Sequence, residues 1–251
     1  MPRNTSALLQ MIEHFVSRES YFYVTGTVPS EKVVSLTEKF AGRYPTILAS
    51  SRERTAARKL KAPRVNLFWQ KSRFLHEWNF VLLSDQRLQG EKMLDCRRSN
   101  ARITISGCSS TYVNTRRAGG AWTWELTDDT YQYWRKQLGA AARSGRGELL
   151  QERIDRLLRI TYMAGGVRSQ VFSLLNEAQR IYQNNRKPSG IDLIVPKSIV
   201  KARRMKWHST PPVSLPAAIQ AQLERDNQAL IEMEQDWELH VQRAEDAGWS
   251  I

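Results

Sequence analysis

An α+β fold is predicted, and three observations predict it. Short runs of aromatic and β-branched residues punctuated by turn signals fill the chain to about residue 127. From Asp128 onward the apolar residues recur at three and four positions instead, the spacing of amphipathic helices. Two segments, RVNLFWQ…EWNFVLLS and STYVNT-RRAGG-AWTWELT, read as strand pairs across short polar turns. The expectation is a mixed or antiparallel sheet with flanking helices, a helical region, and a long C-terminal helix.

In chain order, residues 7–18 read as a short helix leading into SYFYVTGT, a strand from Ser20 to Thr27. Pro29 and Ser30 open a second helix in which Val33, Leu36 and Phe40 share a face and Gly42 marks the end. Strands follow at Arg64–Gln70 and Glu77–Ser84, with a polar loop over 85–100. ARITISG alternates cleanly, and Tyr112–Thr115 pairs with Ala121–Thr127. Asp128 or Asp129 caps a helix carrying Tyr131, Trp134 and Leu138, and Gly139–Gly147 reads as a break. Helices over Glu148–Met163 and from Val167 to Ile181 form an αα-hairpin around Ala164-Gly165-Gly166. Pro188, Pro196, Pro211, Pro212 and Pro216 make 186–216 a linker or an extended wrapping segment. The last helix, Ala217–Ala247, has a near-heptad seam interrupted by Asp226. The expected organisation is a sheet-rich basic domain (1–127), a helical region (128–185), a basic Pro-containing linker (186–216) and an acidic amphipathic helix (217–251).

Charge is the informative quantity. The 251 residues carry a formal +13, and the charge is sorted along the chain. Residues 43–73 hold nine Lys or Arg against Glu53 alone, and 186–207 hold seven against Asp192. Residues 217–251 reverse the balance, with eight acids and two arginines. Concentrated basic blocks suggest an electrostatic footprint for a polyanion, whose counterions each Lys or Arg would release. Candidate nucleic-acid-binding residues are Arg52, Arg54, Arg58, Lys59, Lys61, Arg64, Lys71 and Arg73 in the first block. Lys201, Arg203, Arg204 and Lys206 stand in the second, with Arg116 and Arg117 in a hairpin turn. Trp122 and Trp124, two apart in a strand, could stack unpaired bases or face the core. Arg168 opens the second helix of the αα-hairpin, where a helix-turn-helix would place base-reading side chains. Against all of this stands the plain alternative that RERTAARKLK is the solvated face of an exposed helix.

Signals for chemistry are sparse. HExxH, His-x-His, Gly-x-Ser-x-Gly and GxxxxGK are absent, and the four histidines lack metal-binding spacing. Cys96 and Cys108 read as two reduced thiols of a cytoplasmic protein, with no metal and no cofactor expected. No apolar run approaches the ~18 residues of a transmembrane helix, so no membrane partner is expected. The leading expectation is a non-catalytic nucleic-acid-binding protein, with DNA only slightly ahead of RNA. One alternative is a metal-independent endoribonuclease using His76 or Tyr112 with Arg116 or Arg117. Another is an assembly subunit with an acidic protein partner. The acidic C-terminal helix suggests self-association or autoinhibition of the basic surface.

SYFYVTGTVPSEKVVSLTEKFAGRYP, AWTWELT and GGVRSQVFSLLNEAQR together resemble an uncharacterised group of basic proteins carried by bacterial plasmids and integrative elements. The resemblance implies maintenance, replication or transfer of a mobile element as the setting. It implies no functional residue.

Overall fold

The computed structural model describes residues 5–72, 76–106, 110–160, 164–185 and 191–196. They form an α+β fold. The expected C-terminal helix and most of the linker lie outside the described residues.

The chain opens with α1 (Thr5–Val16), whose Leu8, Leu9, Ile12 and Val16 are buried. Strand β1 (Phe22–Pro29) leads through a single 3-10 turn to α2 (Val33–Arg43), and a second 3-10 turn (Pro45–Ile47) leads to α3 (Ser51–Lys59). Strands β2 (Val65–Lys71) and β3 (Glu77–Ser84) form the expected hairpin. The two-residue β4 (Leu94–Asp95) adds a fourth strand on the other side of β1, within the segment read as a polar loop. The resulting antiparallel sheet has the order β2-β3-β1-β4. A second antiparallel sheet holds β5 (Thr104–Ser106), β6 (Thr111–Arg116) and β7 (Trp122–Leu126) in chain order. The strands thus divide between two sheets, both purely antiparallel.

Both faces of the first sheet are covered, because its strands alternate apolar groups on both sides. Val65, Trp69, Phe80 and Leu82 pack with Val33 and Phe40 of α2. Phe68, Val81, Leu83 and Tyr23 point the other way, into a core shared with α1. That same core takes in Ile105, Tyr112, Trp124 and Leu126 of the second sheet. It continues into α4 (Asp128–Arg143), α5 (Gly147–Ile160) and α6 (Gly165–Asn185) through Trp134, Leu138, Leu150, Ile154, Val167, Val171 and Leu174. The expected boundary at residue 127 is therefore not a packing boundary. Sheet and helices either side of it bury their apolar faces against each other.

Local signals were overridden at several points. Gly42 lies inside α2, which ends one residue later. Gly139 is buried within α4, and the break comes only at Ser144–Arg146. Thr127, not an aspartate, occupies the N-cap of α4. Asp128 and Asp129 stand in its first turn, where carboxylates complement the helix dipole.

Helix α6 closes the open edge of β7. The side-chain amide of Gln170 accepts from Leu126 N (2.7 Å) and donates to Leu126 O (3.2 Å), matching the pattern of a missing neighbour strand. Gly166 N donates to Thr123 Oγ1 at 3.0 Å. A Cβ at Gly166 would stand 2.5 Å from Trp124 O, so only glycine permits this approach. A second glutamine does the same for the extended segment 191–196. Gln151 of α5 accepts from Ile194 N (2.8 Å) and donates to Ile194 O (3.2 Å), and Tyr182 Oη donates to Ile191 O (3.0 Å).

Candidate nucleic-acid interface

The basic stretch becomes a helix because Ser50 and Glu53 form a reciprocal capping box. Glu53 N donates to Ser50 Oγ (3.3 Å), and Ser50 N donates to Glu53 Oε2 (2.7 Å). The bond from Ser50 N holds the Glu53 carboxyl below its ordinary range. The one acid in this stretch is thereby committed to backbone, leaving the surrounding cations without a carboxylate partner on their own helix.

Arg52, Arg54, Arg58, Lys59, Leu60 and Lys61 are all exposed, and Leu60 is 82% exposed. Arg52, Arg58, Lys59 and Lys61 have no side-chain partner among the described residues. A helix with no apolar face cannot be held by packing, so its ends must hold it. Arg54 Nη2 donates to Ile47 O (3.1 Å) at one end. At the other, Leu60 N bonds back to Ala56 O and Ala57 O, and Gln86 Nε2 donates to Lys61 O at 3.3 Å. Lys61 itself takes a left-handed backbone, with φ 56°.

Arg64 departs from this group. Its guanidinium donates to Asp85 Oδ2 (2.6 Å) and to Arg18 O (2.7 Å), while Arg64 N donates to Asp85 Oδ1 (2.8 Å). Arg64 is a structural pin joining the strand entry to the β3 exit, already charge-neutralised. Lys71 is exposed at the end of β2. Arg73, Lys201, Arg203, Arg204 and Lys206 lie outside the described residues.

Trp122 and Trp124 are not a stacking platform. Trp124 is wholly buried and its Nε1 donates to Leu9 O at 2.8 Å; Trp122 is 9% exposed and packs near the Tyr21 ring. Their shared strand face is the core face. Phe68, Trp69 and Phe80 of the first sheet are buried as well, Phe68 on the α1 side and the other two on the α2 side.

Arg116 and Arg117 are exposed in the β6–β7 turn, where Arg116 Nε donates to Gly120 O (3.1 Å). The Arg117 guanidinium lies over Gly165, so this turn sits at the start of α6. Arg168 is half-buried in that first turn. The turn of the candidate helix-turn-helix, residues 161–163, lies outside the described residues. α5 and α6 both pack on α4, and Gln170 and Gly166 are bound to β7. The face of α6 that carries Gly166 and Gln170 is docked on the sheet, while Ser169 is exposed.

Tyr112 is 2% exposed within the second sheet, which removes it as a surface base. β2, which leads towards His76, meets the second sheet at Ser106 O through Gln70 Nε2 (3.3 Å). Ser106 pairs with Thr111, and Arg116 is at the other end of β6, about 17 Å away at strand rise. Burial pushes the Cys96 thiol up to about 12, which favours the protonated thiol at neutral pH. Among the described residues no group of three His, Cys, Asp or Glu could hold a metal ion, and no helix is long and apolar enough to cross a membrane.

No family model, curated protein or solved structure matches this chain.

Proposed function

We propose that the protein binds nucleic acid without cleaving it, gripping the phosphate backbone with α3 and the turn that follows. The observation that carries this reading is an exposed helix whose Arg52, Arg58, Lys59 and Lys61 have no partner among the described residues while its only acid is spent on the cap. Exposed cations so close together repel one another, and phosphates relieve that repulsion while releasing counterions. Arginine adds bidentate phosphate contacts. The resemblance described above supplies the setting, a bacterial mobile element, with DNA as the favoured ligand.

The test is fluorescence anisotropy of the full chain with labelled duplex DNA, single-stranded DNA and RNA across a salt series. Binding at ~50 mM salt should weaken steeply as salt rises. Reversing Arg52, Arg58, Lys59 and Lys61 to glutamate should abolish it. In single reversals on duplex DNA, each phosphate no longer neutralised should flatten the log–log salt slope by about 0.9. Absence of binding to all three ligands at low salt would sink the proposal.

A further inference from the structure

Beside the foot of α3 lies an open cleft of about 700 Å³. Three stretches wall it: the end of α2 with its 3-10 turn (Arg43, Tyr44, Pro45), the segment after α3 (Ala62, Pro63), and the β3–β4 loop (Arg87, Leu88). It therefore shares chain with the basic helix, since Lys61 is followed directly by two residues of the cleft wall.

The lining combines two chemistries. Pro45, Pro63, Ala62 and Leu88 are apolar, and the proline rings are rigid. Arg43 and Arg87 are cationic, and they are placed differently. Arg43 Nη1 is bound to Glu91 Oε1 at 2.6 Å, and the Tyr44 hydroxyl lies 3.4 Å from the same oxygen. Arg87 has no acidic partner among the described residues. Its guanidinium carbon lies 5.2 Å from the centroid of the Phe22 ring, and Nη1 donates to Met93 O at 3.2 Å. A ring contact and one carbonyl thus fix the head, while most of its five N–H donors remain unused.

An apolar slot with a preplaced, unneutralised arginine suits a flat ring that carries an anion. A volume of this size is in the range of small-ligand sites. We infer that the cleft takes a single unpaired nucleotide, its base between the proline walls and its phosphate on Arg87. The inference rests on the nucleic-acid reading for the source of that nucleotide. A strand held along Arg58, Lys59 and Lys61 delivers its next base to the cleft, so the protein prefers single strands to duplex. The same chemistry would accept a free mononucleotide.

The experiment titrates the full chain with a labelled single strand of about 20 nucleotides, the matching duplex, and AMP. Arg87→Gln removes the cation that would hold the phosphate, and Ala62→Trp fills the slot. A double variant, Arg58→Glu with Lys59→Glu, probes α3 separately. Wild type should bind the single strand more tightly than duplex. Each cleft variant should cost about tenfold in single-strand affinity and leave duplex within about twofold, whereas the α3 variant should weaken both. AMP binding that is lost in R87Q would assign the cleft to free nucleotides; strand binding without AMP binding would assign it to a strand. Cleft variants that leave the single strand unaffected with no AMP bound, or that weaken strand and duplex equally, overturn the inference. If neither polymer binds, the proposed function fails, and the AMP titration still decides the cleft. Should Ala62→Trp disturb the loop, as a lowered urea midpoint would report, R87Q carries the test alone.

Discussion

Single residues set how closely elements approach. Gly166 sits where α6 meets the edge of β7, and a methyl there would meet Trp124 O at 2.5 Å. Carbonyl backbone cannot swing aside as a side chain can, so Gly166→Ala should destabilise by about 1–3 kcal/mol. Urea unfolding checks this, and an unchanged midpoint would show that α6 shifts freely. Gly147 is also close-packed, but against the side chains of Ile191 and Tyr182, which can shift. Trp124 offers a polar test in the same region. Trp124→Phe keeps the ring packing but strips the donor from Leu9 O, a buried acceptor, and should cost about 1–3 kcal/mol. Trp124 was legible as an aromatic strand residue; its partner 115 positions away was not.

Elements differ in what holds them, and α3 and α4 are the two extremes. α4 buries Trp134, Leu138, Ala141 and Ala142 and needs little from its caps. α3 buries none of its described side chains and depends on Ser50 and Glu53. Ser50→Ala should therefore fray α3 and weaken nucleic-acid binding while leaving global stability within about 1 kcal/mol. Amide hydrogen exchange over 51–60 separates the two effects, since a purely global loss would speed exchange everywhere. The charge pattern of α3 was read in SSRERTAARK, whereas its Ser50–Glu53 cap was not, although the S-x-x-E spacing carries it. Both readings of the stretch, footprint and solvated face, put it on the surface, and there it lies.

At the scale of the molecule, one apolar core joins α1, both sheets and α4–α6. Unfolding of this body should be a single transition, and a fragment ending at residue 127 should not fold alone. A dispersed amide NMR spectrum from that fragment would contradict this. Two carboxylates are held by arginines, one between helices and one within a turn. Glu177 of α6 receives the Arg135 guanidinium of α4 (2.9 Å), and Arg97 donates to Asp95 (2.7 Å); both carboxyls are held below their ordinary range by those arginines. A depressed folded pKa stabilises above the unfolded value and is lost as pH falls through the folded one. Stability should accordingly fall below about pH 4, and Glu177→Gln should flatten part of that fall. Urea midpoints at neutral and acid pH compare the two proteins directly. An equally steep acid loss in the variant would remove Glu177 from the account.

The sequence by itself determined the fold class, the strand and helix periods, and the sorting of charge into blocks. Those are local properties, written in residue spacing and in side-chain chemistry. Only the tertiary structure decided which basic residues remain unpaired: Arg64 is neutralised by Asp85, twenty-one residues on, while Arg58 and Lys59 are left free among the described residues. It also sent Trp122 and Trp124 inward and joined the two halves of the chain across residue 127. A strand's alternation separates two faces but does not say which one meets a neighbour. That choice belongs to packing, where burial of the larger apolar face against α1 wins.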